Sequence, residues 1–268
     1  MDIQPAVSLA KKTVYLNKEI VYLKNVPIVE YDIKSAGFSV VKYKELLGQD
    51  MIDELERMPK EERNIKIGLF QRQFPELSSI ILETLSEVRQ EFVIANEVTE
   101  DDILSIKKDA IFLIKKTPKI TKFREYFEFR KKSSFTSYVM LNNIEFYYSS
   151  ITGELIWKGL SDDSRIQKKR KPLNIENDVV LKDIRQILKQ SEKLSQEALF
   201  SALKTYRNKY LEKKLPIGSY RNLNTGAFDV RMGNRLLEVD DVDESMLEYL
   251  DISQNYINYI LPLIQAVI

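Results

Sequence analysis

The sequence predicts an α+β protein in which an antiparallel sheet is interrupted by a helical insertion and followed by a mostly helical domain. Residues 13–33 are rich in β-branched and aromatic residues, which is typical of strands. Between Val40 and Asn96 the apolar residues recur at helical spacing. Strand-like runs return between residues 103 and 158, and helical spacing resumes after Pro172. Sheet, helices, sheet and helices therefore follow one another along the chain.

The amino-terminal part predicts three strands, TVYL, EIVYLK and VPIVEYDI, with a turn at Asn17 and Lys18. Asp32 stands at the end of the third strand. The insertion, at about residues 40–98, predicts a helix KYKELLG ended by Gly48, a helix DMIDELERM ended by Pro59, and two more helices that meet near Pro75.

Two short apolar runs, DILSIKK and AIFLIKK, flank Asp109 and predict a hairpin. Further strands are predicted from ITKFREYFEF, SYVML, IEFYYS and ELIWKG. We place the first domain at residues 1–160. The second, residues 161–268, contains the helical patterns VVLKDIRQILKQ and SQEALFSALKTYRNKYLEKKL. It ends in an apolar segment broken by Pro262, which predicts a core helix or a helix that docks a protein partner.

Composition excludes several classes of site. The 268 residues contain no cysteine and no histidine, so thiolate zinc sites, disulfides and imidazole-dependent triads are excluded. Chemistry must come from carboxylates, lysines, arginines or hydroxyls. No run approaches the roughly 18 apolar residues that span a bilayer, and MDIQPAVSLAKK lacks the apolar region of a signal peptide. We expect a cytoplasmic protein without a membrane partner.

Charge is distributed unevenly along the chain. Residues 115–171 contain 14 Lys and Arg against 6 Asp and Glu, whereas residues 236–268 contain 7 acids and no bases. A basic middle predicts a nucleic-acid partner, although ordinary solvated faces give the same pattern. The richness in Lys, Ile and Asn is typical of a phage or of an AT-rich bacterial genome, and in a phage the expected location is the host cytoplasm.

Asp32 and Asp109 are the candidate metal ligands and catalytic residues. Two carboxylates on neighbouring strands can hold hard divalent cations, Mg²⁺ or Mn²⁺, which clamp the oxygens of a phosphoryl transfer. The alternative is structural: Asp32 caps the following helix and Asp109 occupies a hairpin turn. Ser35 is likewise either a helix N-cap or a contact for a triphosphate.

Three motifs carry a resemblance to DNA polymerase family B. YDIKSAGFSVV resembles the first palm motif, with Asp32 as its metal-binding acid, and SIKKDAIFLI resembles the second, with Asp109 in that role. EFYYSSITGELIWKGLSDDSR is similar to the entry to the thumb, with the Lys158–Gly pair. The motifs occur in the family's order. The resemblance implies a palm-like sheet, a helical fingers insertion and a thumb-like helical domain.

The resemblance also implies the nucleotide site. Contacts would come from the loop after Asp32, which is Ser35, Ala36, Gly37 and Phe38, and from the basic residues of the fingers, which are Arg63, Lys66 and Arg72. The chain departs from the family at three positions. Gly37 replaces the aromatic residue that blocks the ribose 2′-hydroxyl, Lys107 replaces the first acid of the second motif, and Glu145 replaces a thumb lysine.

Basic and aromatic residues near the thumb entry are candidates for nucleic-acid contacts. Lys and Arg contact phosphates without regard to sequence, and the candidates are Lys158, Lys168, Lys169, Arg170 and Lys171. Tyr147, Tyr148 and Trp157 either stack on bases or pair across strands in a core.

These observations predict a nucleotidyltransferase that adds nucleotides to a 3′-hydroxyl by two-metal catalysis, as a minimal polymerase or as one subunit of a split polymerase. Its partners would be a nucleoside triphosphate and primer-template DNA. The alternative is a polymerase-like protein without catalysis that binds nucleic acid or a protein partner.

Overall fold

A computed structural model describes residues 2–141, 143–158, 179–222 and 225–252. The chain divides into two compact units: Met1–Glu19 with Val26–Ser134, and Ile20–Asn25 with Phe135–Ile268. The expected α+β class with an antiparallel sheet is confirmed. The predicted boundary after residue 160 lies outside the described residues.

The first unit contains a sheet with the strand order β1-β3-β4-β2-β6, and a short strand β5 pairs with β6. The strands are β1 (Val14–Leu16), β2 (Tyr22–Ile33), β3 (Ile103–Lys107), β4 (Ala110–Ile114), β5 (Lys122–Phe123) and β6 (Phe127–Leu141). Strands β2 and β6 also extend into the second unit. The β3–β4 hairpin confirms the prediction around Asp109. Strand β4 pairs antiparallel with β2, and this pairing sets Asp32 opposite Ala110.

Helices cover one face of this sheet. They are α1 (Gln4–Ala10), α2 (Ala36–Tyr43), α3 (Gln49–Arg57), α4 (Lys60–Gln73) and α5 (Pro75–Ala95). Alternate strand residues, such as Tyr31 and Ile33 on β2 and Ile111 and Leu113 on β4, join the helices in one buried apolar cluster. The intervening residues of β2 include Glu30 and Asp32, whose side chains therefore belong to the opposite face.

The insertion is helical, as predicted, but its first helix is displaced. Helix α2 begins at Ala36 and ends at Tyr43, and Glu45 just beyond it has a φ of 50°. This left-handed residue ends the helix in the place where a glycine is usual, so Gly48 does not mark the end. The breaks at Pro59 and Pro75 are confirmed, since α4 and α5 begin immediately after and at these prolines.

The amino-terminal strands also differ from the prediction. The two runs EIVYLK and VPIVEYDI form one strand, β2, which passes through Asn25 with a φ of 54°. Asparagine tolerates this left-handed conformation better than most residues, so the strand continues without a turn. Helix α1 was not predicted, because its seven residues are too few to show a clear period.

The second unit contains the carboxyl-terminal half of β6 with β7 (Ile144–Tyr148) and β8 (Leu155–Lys158), paired in that order. Helices α6 (Val179–Leu188) and α7 (Gln196–Leu211) confirm the two helical patterns. A hairpin of β9 (Phe228–Met232) and β10 (Arg235–Val239), which was not predicted, adds strands to this unit. The core of the second unit combines residues from its strands and its helices, including Val139, Phe146, Ile184, Leu203 and Val230.

Among the described helices, none combines the length and the apolar character needed to cross a membrane. The proposed carboxyl-terminal docking helix, apart from its first residues, lies outside the described part of the chain.

Candidate active site

The structure brings Asp32, at the end of β2, next to Asp109, in the turn that leads into the neighbouring strand β4. The backbone N–H of Ile33, the residue after Asp32, donates to the carbonyl oxygen of Asp109 at 3.1 Å. Asp32 is 7% exposed, and Asp109 is half-buried in the turn between β3 and β4. The two positions are far apart along the chain, and the β2–β4 pairing is what joins them.

The environment of Asp109 opposes its charge. Burial raises the pKa of the Asp109 carboxyl, and the negative charge of Asp32 raises it further. Backbone hydrogen bonding and the positive charges of Lys132 and Arg89 act in the other direction without cancelling the rise. The charge of Asp32 thus acts on the Asp109 carboxyl.

Two cations on β6 contact the acids of β2. Arg130 makes a two-point contact with Asp32, from Nε to Oδ1 at 2.7 Å and from Nη2 to Oδ2 at 3.3 Å. The ammonium of Lys132 lies 3.1 Å from Glu30 Oε1 and 3.7 Å from Asp32 Oδ2. The carboxylates of β2 raise the pKa of both cations; for Lys132 they outweigh burial, which lowers it.

Glu30 is a third acid at this site that the sequence analysis did not single out. Its side chain is fully buried and lies on the same face of β2 as Asp32. The sequence contains a signal for this site. The alternation E-Y-D places two acids on one side of β2, and R-K-K in β6 places Arg130 and Lys132 on one side of that strand. We refer to Glu30, Asp32 and Asp109 as the carboxylate cluster.

Asp32 and Asp109 offer oxygen donors of the type that a magnesium-like ion prefers. Within the described residues, no group of three or more acidic side chains has the arrangement of a metal site on its own. Mg²⁺ usually binds through one or two carboxylates and completes its shell with water and substrate phosphates. Asp32 and Asp109, both hard oxygen donors, fit that pattern.

A cavity of about 400 Å³ opens beside Asp109, and we call it the Asp109 cavity. It lies between the acid-bearing turn and helices α2, α4 and α5. Its lining residues are Ala36, Gly37, Asn64, Ile67, Gln71, Ser78, Ile81, Leu82, Leu85, Lys108 and Asp109. The volume is within the range of small-molecule sites.

The predicted nucleotide contacts divide between two cavities. Ala36 and Gly37 line the Asp109 cavity, whereas Ser35, Phe38 and Arg63 line a second one of about 370 Å³. We call the latter the Arg63 cavity; its other walls are Lys34, Ser39, Lys42, Lys122, Glu125, Tyr126 and Glu128. Arg63 lies over the ring of Phe38, 4.7 Å from its centroid, and donates to Ser35 Oγ at 3.1 Å.

The other two predicted fingers residues lie away from these contacts. Lys66 forms an ion pair with Glu54 at 2.6 Å, and Arg72 is exposed near the end of α4. The face of α4 that lines the Asp109 cavity carries Asn64, Ile67 and Gln71 instead. Their spacing of three and four residues is the helical signal that would have found them.

The structure does not show the capping role that was the alternative for Asp32, whereas Ser35 does occupy the N-cap position of α2. Asp32 is a strand residue bound to Arg130, and the position before α2 is occupied by Ser35. The Ser35 side chain makes no capping hydrogen bond, because its backbone is left-handed with a φ of 50°. The turn position proposed for Asp109 is confirmed.

A buried arginine, also missed by the sequence analysis, anchors the Asp109 turn. Arg89 on α5 is 1% exposed and donates to the carbonyl oxygens of Ala10 at 3.1 Å, Lys12 at 3.0 Å and Lys108. Burial lowers the pKa of Arg89 to about 10, and the charge of Asp109 partly offsets this. Arg89 therefore fixes the residue that precedes Asp109.

The predicted nucleic-acid contacts belong to the second unit or lie outside the described residues. Tyr147 is fully buried, packs against Phe135 and Tyr138, and donates to Glu145 Oε1 at 2.8 Å. Its ring has no exposed surface on which a base can stack, so we correct that expectation and treat Tyr147 as a core residue. Lys158 ends β8 in register with Glu145.

Lys168, Lys169, Arg170 and Lys171 lie outside the described residues. Trp157, one of the two other stacking candidates, is covered on one side by Arg185, whose guanidinium carbon is 4.0 Å from the ring centroid.

A family model described as "Bacteriophage PBS1 gene 130 protein" matches residues 6–268. The chain belongs to this family. The description agrees with the phage association that composition suggested, and the match extends over both units. No curated protein gives a significant match.

Proposed function

We propose that the protein is a polymerase-type nucleotidyltransferase that joins a nucleoside triphosphate to the 3′-hydroxyl of a nucleic-acid primer. The observation that carries this proposal is the backbone junction of the Asp32 and Asp109 segments, which are distant along the chain, together with a cavity that Asp109 lines and a helical insertion walls. The order of the motifs resembling family B polymerases supports the same assignment. Palm, fingers and thumb are the names that this proposal gives to the sheet, the insertion and the second unit.

In this proposal Asp32 and Asp109 hold Mg²⁺ or Mn²⁺, which would lower the pKa of the attacking hydroxyl and neutralise the charge that develops on the phosphates. Residues of the chain determine how this site would bind the ion. Asp109 releases its proton less readily than an ordinary carboxyl because it is buried and faces Asp32. Arg89 holds the turn between β3 and β4 in place, and so it also fixes the position of Asp109.

The nucleotide would occupy the Asp109 cavity. Asn64 and Gln71 supply amide groups on its α4 wall, and Gly37 leaves the α2 wall without a side chain. The Arg63 cavity, on which Lys34, Lys42, Arg63 and Lys122 converge, would receive the triphosphate or released pyrophosphate. Ser35, already bound to Arg63, would add a hydroxyl donor there.

Primer extension tests the proposal directly. Purified wild-type protein would be incubated with Mg²⁺ or Mn²⁺, a primer-template and mixed nucleotides, beside Asp32→Asn and Asp109→Asn. Each variant keeps its shape but loses the ligand charge, and we expect the extension rate to fall by roughly 10³-fold or more. Asp50→Asn is the matched control, since Asp50 is an exposed acid on α3 and should leave the rate unchanged.

The results separate a correct site from a misassigned one. Extension by Asp32→Asn or Asp109→Asn at the wild-type rate would show that the acids are not the catalytic pair. A wild-type protein that binds primer-template but adds no nucleotide would refute catalysis.

A second candidate function is a polymerase-like protein that binds nucleic acid or a protein partner without catalysis. The observation that favours it is the neutralisation of Asp32 by the two-point contact with Arg130, which satisfies the acid without a metal ion. Lys107, which stands where polymerase family B has an acid, also favours a protein without catalysis. Under this function Asp32→Asn would weaken stability but leave nucleic-acid binding intact.

A further inference from the structure

The charged residues of β2 and β6 form a matched set on one face of the sheet. Glu30 and Asp32 alternate along β2, and Arg130 and Lys132 alternate along β6. Arg130 contacts both oxygens of Asp32, and Lys132 spans Glu30 and Asp32. Two positive charges thus stand at Asp32, one of the two acids to which the proposed function assigns a divalent ion.

Burial differs sharply between the partners. The side chains of Glu30 and Asp32 are 2% and 10% exposed, whereas those of Lys132 and Arg130 are 45% and 43% exposed. Moving a cation away from its partner therefore costs less free energy than moving an acid. The guanidinium can rotate into water on its long side chain, whereas the carboxylates remain buried in the sheet.

Arg130 and a divalent ion require the same lone pairs of Asp32. The guanidinium occupies both oxygens, and a +2 ion bound to either oxygen would lie a few ångströms from a +1 charge. The repulsion is strong where the carboxylate is buried and water is scarce. Simultaneous occupancy in the present geometry is therefore unfavourable.

We propose that Arg130 is a resident counter-cation that a divalent ion must displace from Asp32, while Lys132 stays on Glu30. The proposal rests on the proposed metal site and adds its regulation. In the metal-free protein the two-point contact with Arg130 holds the Asp32 carboxylate in place. When the ion binds, the released guanidinium becomes available to the phosphates of the nucleic acid or nucleotide.

Calorimetric titration of the full chain with Mn²⁺ tests the displacement. Arg130→Gln removes the competing charge and retains most of the side-chain volume, so we expect Mn²⁺ to bind about tenfold more tightly than in the wild type. Arg130→Lys keeps the charge but loses the two-point contact, and its affinity should fall between the two.

Lys131→Gln is the matched control. Lys131 is exposed, carries the same charge and stands between Arg130 and Lys132, but strand alternation directs its side chain to the other side. Its Mn²⁺ affinity should remain at the wild-type value. An Arg130→Gln protein that binds Mn²⁺ no more tightly than the wild type would overturn the proposal.

Thermal unfolding gives a second readout that does not depend on the calorimetric signal. Without Mn²⁺, Arg130→Gln should unfold at a lower temperature than the wild type, because Asp32 loses its partner. Saturating Mn²⁺ should raise the unfolding temperature of the variant more than that of the wild type. An equal rise in both proteins contradicts displacement.

Failure of this inference is distinguishable from failure of the proposed function. If Mn²⁺ binds the wild type and Asp32→Asn abolishes that binding, the metal site stands, and only the effect of Arg130→Gln decides the displacement. If Asp32→Asn and Asp109→Asn bind Mn²⁺ as the wild type does, the metal site and the displacement both fail.

Discussion

Asp109 is the acid whose surroundings are least favourable to its charge. Its pKa is raised because the carboxyl is buried and faces Asp32, so the folded protein binds this proton more tightly than the unfolded chain does. Stability therefore falls as the pH rises from the unfolded pKa, near 3.8, through the raised folded pKa. Above that window the charged carboxylate weakens the fold by a constant amount, as residues kept for function often do.

Asp109→Asn should accordingly stabilise the metal-free protein at neutral pH, because the amide carries no charge to desolvate. We expect a higher unfolding temperature at pH 7 than in the wild type and a smaller fall in stability between acidic and neutral pH. Thermal unfolding over a pH series, in the presence of a chelator, measures both. A variant less stable than the wild type at neutral pH would show that hydrogen bonds of the carboxylate, and not its desolvation, dominate.

Gly37 sets the shape of the Asp109 cavity. A Cβ at this position would lie 3.6 Å from Ile67 Cγ2, which is an ordinary van der Waals contact, so an alanine fits. A larger side chain would enter the cavity itself. Under the proposed function, Gly37 stands where polymerase family B has an aromatic residue that excludes the ribose 2′-hydroxyl.

We therefore predict that the wild type incorporates ribonucleotides and deoxyribonucleotides at similar rates. Gly37→Tyr should reject ribonucleotides by roughly tenfold or more, since a steric clash is added to one substrate only. Gly37→Ala, which adds a single methyl group, is the control and should resemble the wild type. Competition between the two nucleotides in primer extension measures the ratio. Strong rejection by the wild type would mean that another side chain supplies the barrier; Phe38 contributes to the Arg63 cavity instead.

At this scale the sequence predicted the acids but not their partners. Asp32 and Asp109 interrupt apolar runs and are visible as anomalies. Arg130 and Lys132 lie in a charged stretch of many similar residues, and only the pairing of β2 with β6 shows which of them meet the acids. Lys66 was predicted as a phosphate contact, a role that remains a prediction, and its ion pair with Glu54 depends on how α3 packs against α4.

At the scale of elements, the turn between β3 and β4 depends on helix α5. Lys108 has a φ of 53°, a conformation that costs a non-glycine residue on the order of 1 kcal/mol. Its backbone N–H donates to Thr13 and its carbonyl accepts from Arg89. These contacts hold the turn, and the adjoining Asp109, in one conformation.

Arg89→Met should remove this support by leaving three carbonyls, one buried and two partly buried, without their shared donor. We expect a loss of about 3 kcal/mol or more in the free energy of unfolding, measured with urea. Arg89→Lys keeps the charge near Asp109 but lacks the guanidinium fork, so it should recover part of the stability. For Mn²⁺ binding, Arg89→Lys should also be weaker than the wild type, as the turn is less well fixed. Wild-type Mn²⁺ affinity in Arg89→Lys would limit Arg89 to a structural role.

Elements with a clear period or a proline at their ends were predicted, and short or irregular ones were not. Helices α4 and α5 begin after and at prolines and follow the predicted bounds. The β9–β10 hairpin was overlooked within a helical region, although Gly233 and Asn234 form the kind of pair that connects hairpin strands. Its Gly233 has a φ of 62°, which the turn requires.

At the scale of the molecule, the proposed site belongs entirely to the first unit. The carboxylate cluster, the Asp109 cavity and the Arg63 cavity are built from residues 28–98 and 103–132. The α+β class and the helical insertion could be predicted from patterns within short windows of sequence. The meeting of Asp32 with Asp109 was a hypothesis from the predicted strand order, which the family resemblance supported, because strand pairing over that separation leaves no local signal.

The central claim is that Asp32 and Asp109 share a divalent ion beside a bound nucleotide. The most direct test is a crystal structure of the protein soaked with Mn²⁺ and a nucleoside triphosphate, with anomalous scattering used to place the metal. We predict a manganese peak coordinated by oxygens of both acids, with the sugar in the Asp109 cavity and the guanidinium of Arg130 withdrawn from Asp32. A nucleotide bound elsewhere, or an Asp32 that still contacts only Arg130 and Lys132 in saturating Mn²⁺, would contradict the account.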